Sequence, residues 1–181
     1  SRGLGDVYKR QGLNRGAAAT ISLSGDGKSV VLNVTEKGEH GNLVWNGGGE
    51  GIWITEGTAE NSPWDITGNG DNKFYTGDHV TFDGTAAADK RSVAISGNVS
   101  PGSITVTADG YVFGGSGSIT GGGKLTMDAE DGTLTINTAN AYTGGTELLK
   151  GNIAVNHAQA LGSGSVAMAT GTGLTLGNGI T

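Results

Sequence analysis

The sequence predicts an all-β protein, specifically a right-handed parallel β-helix, and three observations lead there. First, 36 of the 181 residues are Gly and only 2 are Pro; with 21 Thr, 13 Asn and 13 Ser, the turn-forming and small polar types make up close to half the chain. Second, Leu, Ile, Val and Phe number only 37, so each strand can bury few side chains. Third, apolar–small–apolar triplets recur along the chain with no helical period between them. Gly and Thr are poor helix formers, which rules out a helical domain. Gly has no three-residue period, which rules out collagen.

The elements follow in order. Alternating triplets occur at Ile21-Ser22-Leu23, Val80-Thr81-Phe82, Val93-Ala94-Ile95, Ile104-Thr105-Val106 and Tyr111-Val112-Phe113. They continue at Leu125-Thr126-Met127, Leu134-Thr135-Ile136, Ile153-Ala154-Val155, Val166-Ala167-Met168 and Leu174-Thr175-Leu176. Within each triplet the outer residues share a face, because side chains alternate across a strand. Gly, Asn, Asp and Ser bound most of them and supply turns. Strand starts in the second half fall at 104, 111, 125, 134, 153, 166 and 174. The helix-like pieces, Ala86–Ala88 and His157–Leu161, are too short for crossovers.

A sandwich needs longer strands and larger apolar clusters. A solenoid buries two residues per strand against the rungs above and below, so small quotas add up to a continuous core. From about Ala17 onward the chain is therefore expected to form solenoid rungs. Leu134, Ile136, Ile153 and Val155 should point inward; Thr135 and Thr146 should be at least partly exposed. Both ends of such a solenoid would be uncapped edges.

Ser1–Gln11, SRGLGDVYKRQ, does not match the rest. It holds three of the 11 basic residues and resembles the translated read-through of a sequencing adapter, so residues 1–11 are read as non-native. Residues 12–120 are expected to form tryptophan-containing lead-in rungs, and 121–181 a repeat block. Both ends read as cut, and the chain as a fragment.

The net charge of −6, with no basic run, argues against nucleic acid as a partner. The longest aliphatic run, Val30-Val31-Leu32, is far too short to span a membrane. The absence of Cys excludes a disulfide framework and thiolate metal sites.

Candidate chemistry is sparse. His40, His79 and His157 lie in no metal-binding spacing and read as turn or surface residues. No serine sits in a nucleophile elbow. Thr67–Tyr75, TGNGDNKFY, overlaps the calcium-binding nonapeptide at Gly68, Gly70 and Phe74. Asp71 is displaced by one place, however, and a single copy supplies only part of an oxygen shell. Asp65, Asp71, Asp78, Asp83 and Asp89, followed by Lys90-Arg91, are the only set from which a polysaccharide lyase or hydrolase could draw carboxylates and a base; most sit beside Gly or Asn, as turn caps do. Gly47–Gly49 and Gly121–Gly123 lack any nucleotide-site context and read as turns. Trp45, Trp53 and Trp64 are the candidate ligand-contact residues, since indole faces can stack on sugars; the competing reading makes them the large-side-chain layer of a Gly-rich core. No catalytic, cofactor-binding or metal residue, and no cofactor, is expected.

Gly122–Met168 carries a specific pattern: GTLTI at Gly132–Ile136, NAYTGGT at Asn140–Thr146, GNIAV at Gly151–Val155 and ALGSG at Ala160–Gly164. This block resembles the autotransporter-associated β-strand repeat, departing from it at Lys150, Asn152 and Ala129–Asp131. Upstream, GNLVWNGG from Gly41, Trp53, Trp64, FYTGDHVTFD ending at Asp83, and Pro101–Val106 with Tyr111–Gly117 are similar to the lead-in that precedes such repeats. The resemblance implies a segment of the secreted passenger of a type V secretion system, with the membrane barrel downstream. It implies a non-catalytic, structural or adhesin-like role at the bacterial cell surface and monomeric behaviour, with host or matrix glycans or proteins as partners. The alternative is a carbohydrate-active β-helix enzyme.

Overall fold

The computed structural model describes residues 18–36, 39–57, 61–67 and 71–180. Ser1–Gln11 lies outside the described residues. The chain divides into two compact units, residues 1–39 and 40–181.

The first unit contains a two-stranded antiparallel hairpin, β1 (Ala18–Leu23) and β2 (Val30–Glu36), with Ile21 opposite Leu32. Its turn is built by local hydrogen bonds: Gly27 N donates to Ser24 O, and Lys28 N to Asp26 Oδ1. Such a turn pairs neighbouring strands at once instead of sending the chain around a rung. The expectation that solenoid rungs begin near Ala17 is therefore corrected: within the expected lead-in of 12–120, residues 18–36 form a hairpin. Ile21 and Leu23, expected inward, are exposed.

The second unit is a β-solenoid of about five turns, nearly all β among the described residues. One face stacks β3 (Asn42–Trp45), β6 (His79–Phe82), β9 (Ser103–Val106), the first part of β12 (Lys124–Ile136), the first part of β13 (Thr146–Val155) and β14 (Val166–Met168), all parallel. A second face stacks β4 (Ile52–Trp53), β7 (Ser92–Ile95), β10 (Tyr111–Gly115), the later parts of β12 and β13, and β15 (Gly173–Leu176). The third side begins with β8 (Asn98–Val99) and β11 (Ser118–Ile119), paired in parallel. It continues as single rung-to-rung bonds, such as Ala141 N to Ile119 O at 2.8 Å and Ser163 N to Tyr142 O at 3.0 Å. A 3₁₀ turn at Ala88–Lys90 is the one helical element among the described residues.

Alternation does the rest. On the first face, Val80, Ile104, Leu125, Thr146 and Val166 are register partners in one column; Phe82, Val106, Met127, Leu148 and Met168 form the next. On the second face the columns are Tyr111, Leu134, Ile153, Leu174 and Phe113, Ile136, Val155, Leu176. Leu134, Ile136, Ile153 and Val155 are buried as expected, and Thr135 is partly exposed. Thr146 is the exception: it is buried at 2% exposure because it starts β13 on the inward column instead of ending a turn. Its hydroxyl is satisfied by Tyr142 Oη at 2.7 Å.

The corner leading into the first face needs residues without a Cβ. A Cβ on Gly102, Gly123 or Gly144 would lie 2.4, 2.3 and 2.4 Å from Gly77 O, Pro101 O and Gly122 O, so consecutive rungs could not approach.

The expectation of two uncapped ends is corrected at the amino side. β5 (Trp64–Thr67) pairs antiparallel on the outer edge of β3, and Trp64 and Phe74 close over Trp53 at ring-centroid distances of 5.5 and 5.4 Å. Leu43, Trp45 and Trp53 are buried in consequence, although among the described residues no rung precedes them.

Candidate functional site

All three candidate ligand-contact tryptophans lie inside the solenoid. Trp45 and Trp53 are 0% exposed and Trp64 1%, so no indole face is open to a sugar. The core-packing reading holds for them. Alternation on short strands directs Trp45 and Trp53 inward, and Phe82 sits 5.6 Å from each of the three rings. Trp45 Nε1 donates to Lys90 O at 3.0 Å. Trp53 Nε1 is buried with no hydrogen-bond partner among the described residues.

Of the acidic set, Asp65, Asp71, Asp78 and Asp83 cap turns or stitch segments. Asp78 is buried and accepts from Gly41 N at 2.6 Å and Tyr75 N at 2.8 Å, tying the entry of β6 to that of β3. Asp83 Oδ1 accepts from Thr85 N at 2.8 Å, Asp65 Oδ1 from Asn46 Nδ2 at 2.7 Å, and Asp71 Oδ2 from Tyr75 Oη at 2.9 Å. The basic partner is engaged as well. Arg91 donates to Ala86 O and Asp109 O at 3.1 and 2.7 Å, and its guanidinium lies 5.5 Å from the centre of the Tyr111 ring. Tyr111 itself donates to Asp83 O at 2.8 Å. Burial of this phenol, with the Asp83 charge adding to it and Arg91 opposing, pushes its pKa up to about 12.

His40 and His79 are neighbours, and His157 is engaged within its own turn. His79 shares a hydrogen bond with Ser103 Oγ at 2.8 Å, with the His40 ring edge-on at 6.5 Å; His157 Nδ1 accepts from Gln159 N at 3.1 Å within its own turn. Among the described residues no three His, Asp or Glu side chains gather as a metal-binding group. Of the calcium-like segment, residues 68–70 lie outside the described residues.

The feature that sequence reasoning missed is a cleft of about 520 Å³ at the amino end, lined among others by Glu50, Ile52, Ile54, Asn61, Lys73 and Ser96. Its residues come from four separate segments, and no local pattern marks them. Also missed was the work done by the NAYTGGT turn. Asn140 Oδ1 accepts from Ile119 N at 2.9 Å while its Nδ2 donates to Ala160 O at 2.7 Å, stapling three consecutive rungs. Tyr142 is buried against Thr146, and burial raises its pKa as well.

Comparison with family models, with curated proteins and with solved structures finds no match to this chain.

Proposed function

We propose that this chain is a non-catalytic structural or adhesin-like segment of a secreted bacterial passenger protein, displayed at the cell surface and presenting or spacing regions that contact host or matrix glycans or proteins. One observation carries the reading. The most specific residues of the sequence motif are those that build the rung: Asn140 staples its neighbours, Tyr142 and Thr146 pair in the interior, and Gly144 lies at the tight corner. Residues spent on stacking serve length and rigidity, which is what a spacer requires. The carboxylates of Asp71, Asp78 and Asp83 are engaged with backbone and neighbouring side chains, which favours the spacer over a hydrolase.

The downstream reading frame tests the proposal. A twelve-strand membrane barrel following this segment is the expected finding, and a frame continuing into a soluble catalytic domain would count against it. A polysaccharide screen of the purified chain supplies the second arm. Binding without turnover agrees with the proposal, whereas turnover lost in Asp71→Asn or Asp83→Asn overturns it in favour of a carbohydrate-active enzyme.

A further inference from the structure

The cleft at the amino end shares Ile52 and Ile54 with an open sheet edge. Among the described residues β4 pairs only with β7, where Ala94 N and Ser96 N donate to Gly51 O and Trp53 O at 2.9 and 3.0 Å. In a trans peptide the carbonyl and the next N–H point opposite ways, so the Ile52 and Ile54 N–H groups face away from β7. Neither is hydrogen-bonded among the described residues. Both residues line the cleft, whose volume of about 520 Å³ is ordinary for a ligand site. Edge and cleft are built within residues 49–96, well inside the sequence.

We propose that this cleft binds an extended peptide segment of a partner protein, which adds as a strand along β4. The lining selects that ligand class. Trp64 and Phe74 also border the cleft but are 1% exposed each, so no ring face is open for a sugar to stack on. The cleft offers aliphatic side chains beside unused backbone donors, the two features that strand addition uses. Its charged lining residues are Glu50 and Lys73. Lys73 is already engaged, whereas the exposed Glu50 favours a segment that carries a basic residue. The outer edge of β5 is open as well among the described residues. Only Trp64 of that strand borders the cleft, however, so the aliphatic wall lies along β4.

The probe is a synthetic peptide of residues 90–97, KRSVAISG. It contains β7, the strand that β4 already accepts on its closed edge, and Lys90-Arg91 supply the positive charge. Titrated into the full 181-residue chain and followed by amide NMR, it should bind saturably, shifting the Ile52 and Ile54 amides and slowing their hydrogen exchange. Only alternate N–H groups of an added strand face its neighbour. N-methylation at Val93 and Ile95, or instead at Ser92, Ala94 and Ser96, should therefore abolish binding in one peptide and spare it in the other. Ile54→Lys replaces part of the aliphatic wall by a charge like the probe's and should weaken binding by about tenfold or more. Val30→Lys, on the exposed hairpin, should leave it unchanged. Should Ile54→Lys fail to fold, the two methylated peptides decide on the unaltered chain. The proposal is overturned by an absence of saturation up to millimolar peptide, or by equal binding of both methylated peptides. It is overturned equally if the Ile52 and Ile54 amides are already protected in the chain alone, since the edge is then covered.

Discussion

At the amino end of the solenoid Leu43, Trp45 and Trp53 are sealed although no rung lies before them among the described residues; at the carboxy end Val166, Met168, Leu174 and Leu176 occupy equivalent inward columns and stand open. The difference is one of chain length within a turn. On the first face the register partners Val80, Ile104, Leu125, Thr146 and Val166 are separated by 24, 21, 21 and 20 positions, whereas Leu43 and Val80 are 37 apart. The additional residues carry β5 and Phe74, which fold back over the first rung. A stacked column is thus closed either by another rung or by large side chains returned from an insertion. The second device concentrates Trp45, Trp53, Trp64, Phe74, Phe82, Tyr111 and Phe113 at one end.

The most severe way to break this asymmetry is to hollow the plug. Phe82 lies within 6 Å of the ring centres of Trp45, Trp53, Trp64, Tyr111 and Phe113. Phe82→Ala should cost about 3–5 kcal/mol, read from the urea midpoint, because the surrounding rings cannot collapse into the space. Met168→Ala, a truncation in the same column but at the open end, should stay within about 0.5 kcal/mol. Equal losses at the two sites would contradict the claim that only the amino end is sealed.

A second cut lies between the two ends, at Tyr142 and Thr146. Tyr142→Phe leaves a buried Thr146 hydroxyl unpaired and should cost about 1–3 kcal/mol. Thr146→Val alone strands the phenol instead. Tyr142→Phe/Thr146→Val removes both polar groups and should recover most of the loss, giving a coupling term of at least about 0.5 kcal/mol in a double-mutant cycle. Additive losses would show that the pair is not what holds this column.

The same residue shows where the fold was legible and where it was not. Strand starts at 104, 111, 125, 134, 153, 166 and 174 are two interleaved series, 104–125–166 and 111–134–153–174, each advancing by about one rung. The gap in the first is Thr146, which takes an apolar position in the stack while looking like a turn residue. The apolar triplets therefore located the rungs, but a hydroxyl buried by a partner four residues away hid one of them. The hairpin at 18–36 was hidden for another reason. Alternation in Ile21-Ser22-Leu23 is the same in a hairpin as in a rung, and only the turn chemistry of Asp26 and Gly27 separates them. The tryptophans were legible as large apolar groups, whereas their burial depended on β5 folding back, a tertiary fact. The cleft could not be read at all, since its lining is assembled from distant segments.

Alkaline pH sharpens the comparison with a gentler lever. Tyr111 ionises near 12 in the folded protein, above the value of about 10 for an unfolded chain. Between these values the unfolded state holds fewer protons than the native state, so stability falls as pH rises. Below about pH 10 the contribution is complete. Tyr142, raised by burial as well, acts in the same sense in the later rungs. Urea midpoints should thus be flat up to about pH 10 and decline from there to about 12. Tyr111→Phe should flatten the decline, and an unchanged slope in that variant would remove Tyr111 as its source.

The smallest effect belongs to the outward columns. Lys124 Nζ meets Glu147 Oε2 between adjacent rungs, with the side chains 52% and 35% exposed. Water and salt screen such a pair, and holding two long side chains in one geometry consumes much of the Coulomb gain. Lys124→Ala should therefore shift stability by less than about 1 kcal/mol, and by less still at high salt. A lysine introduced at Val166 would also point a charge into open solvent, with equally little effect on the monomer's stability. A large stability loss in Lys124→Ala would show that the outer ladders share in holding the rungs together, and would undo the division between a load-carrying interior and a permissive surface.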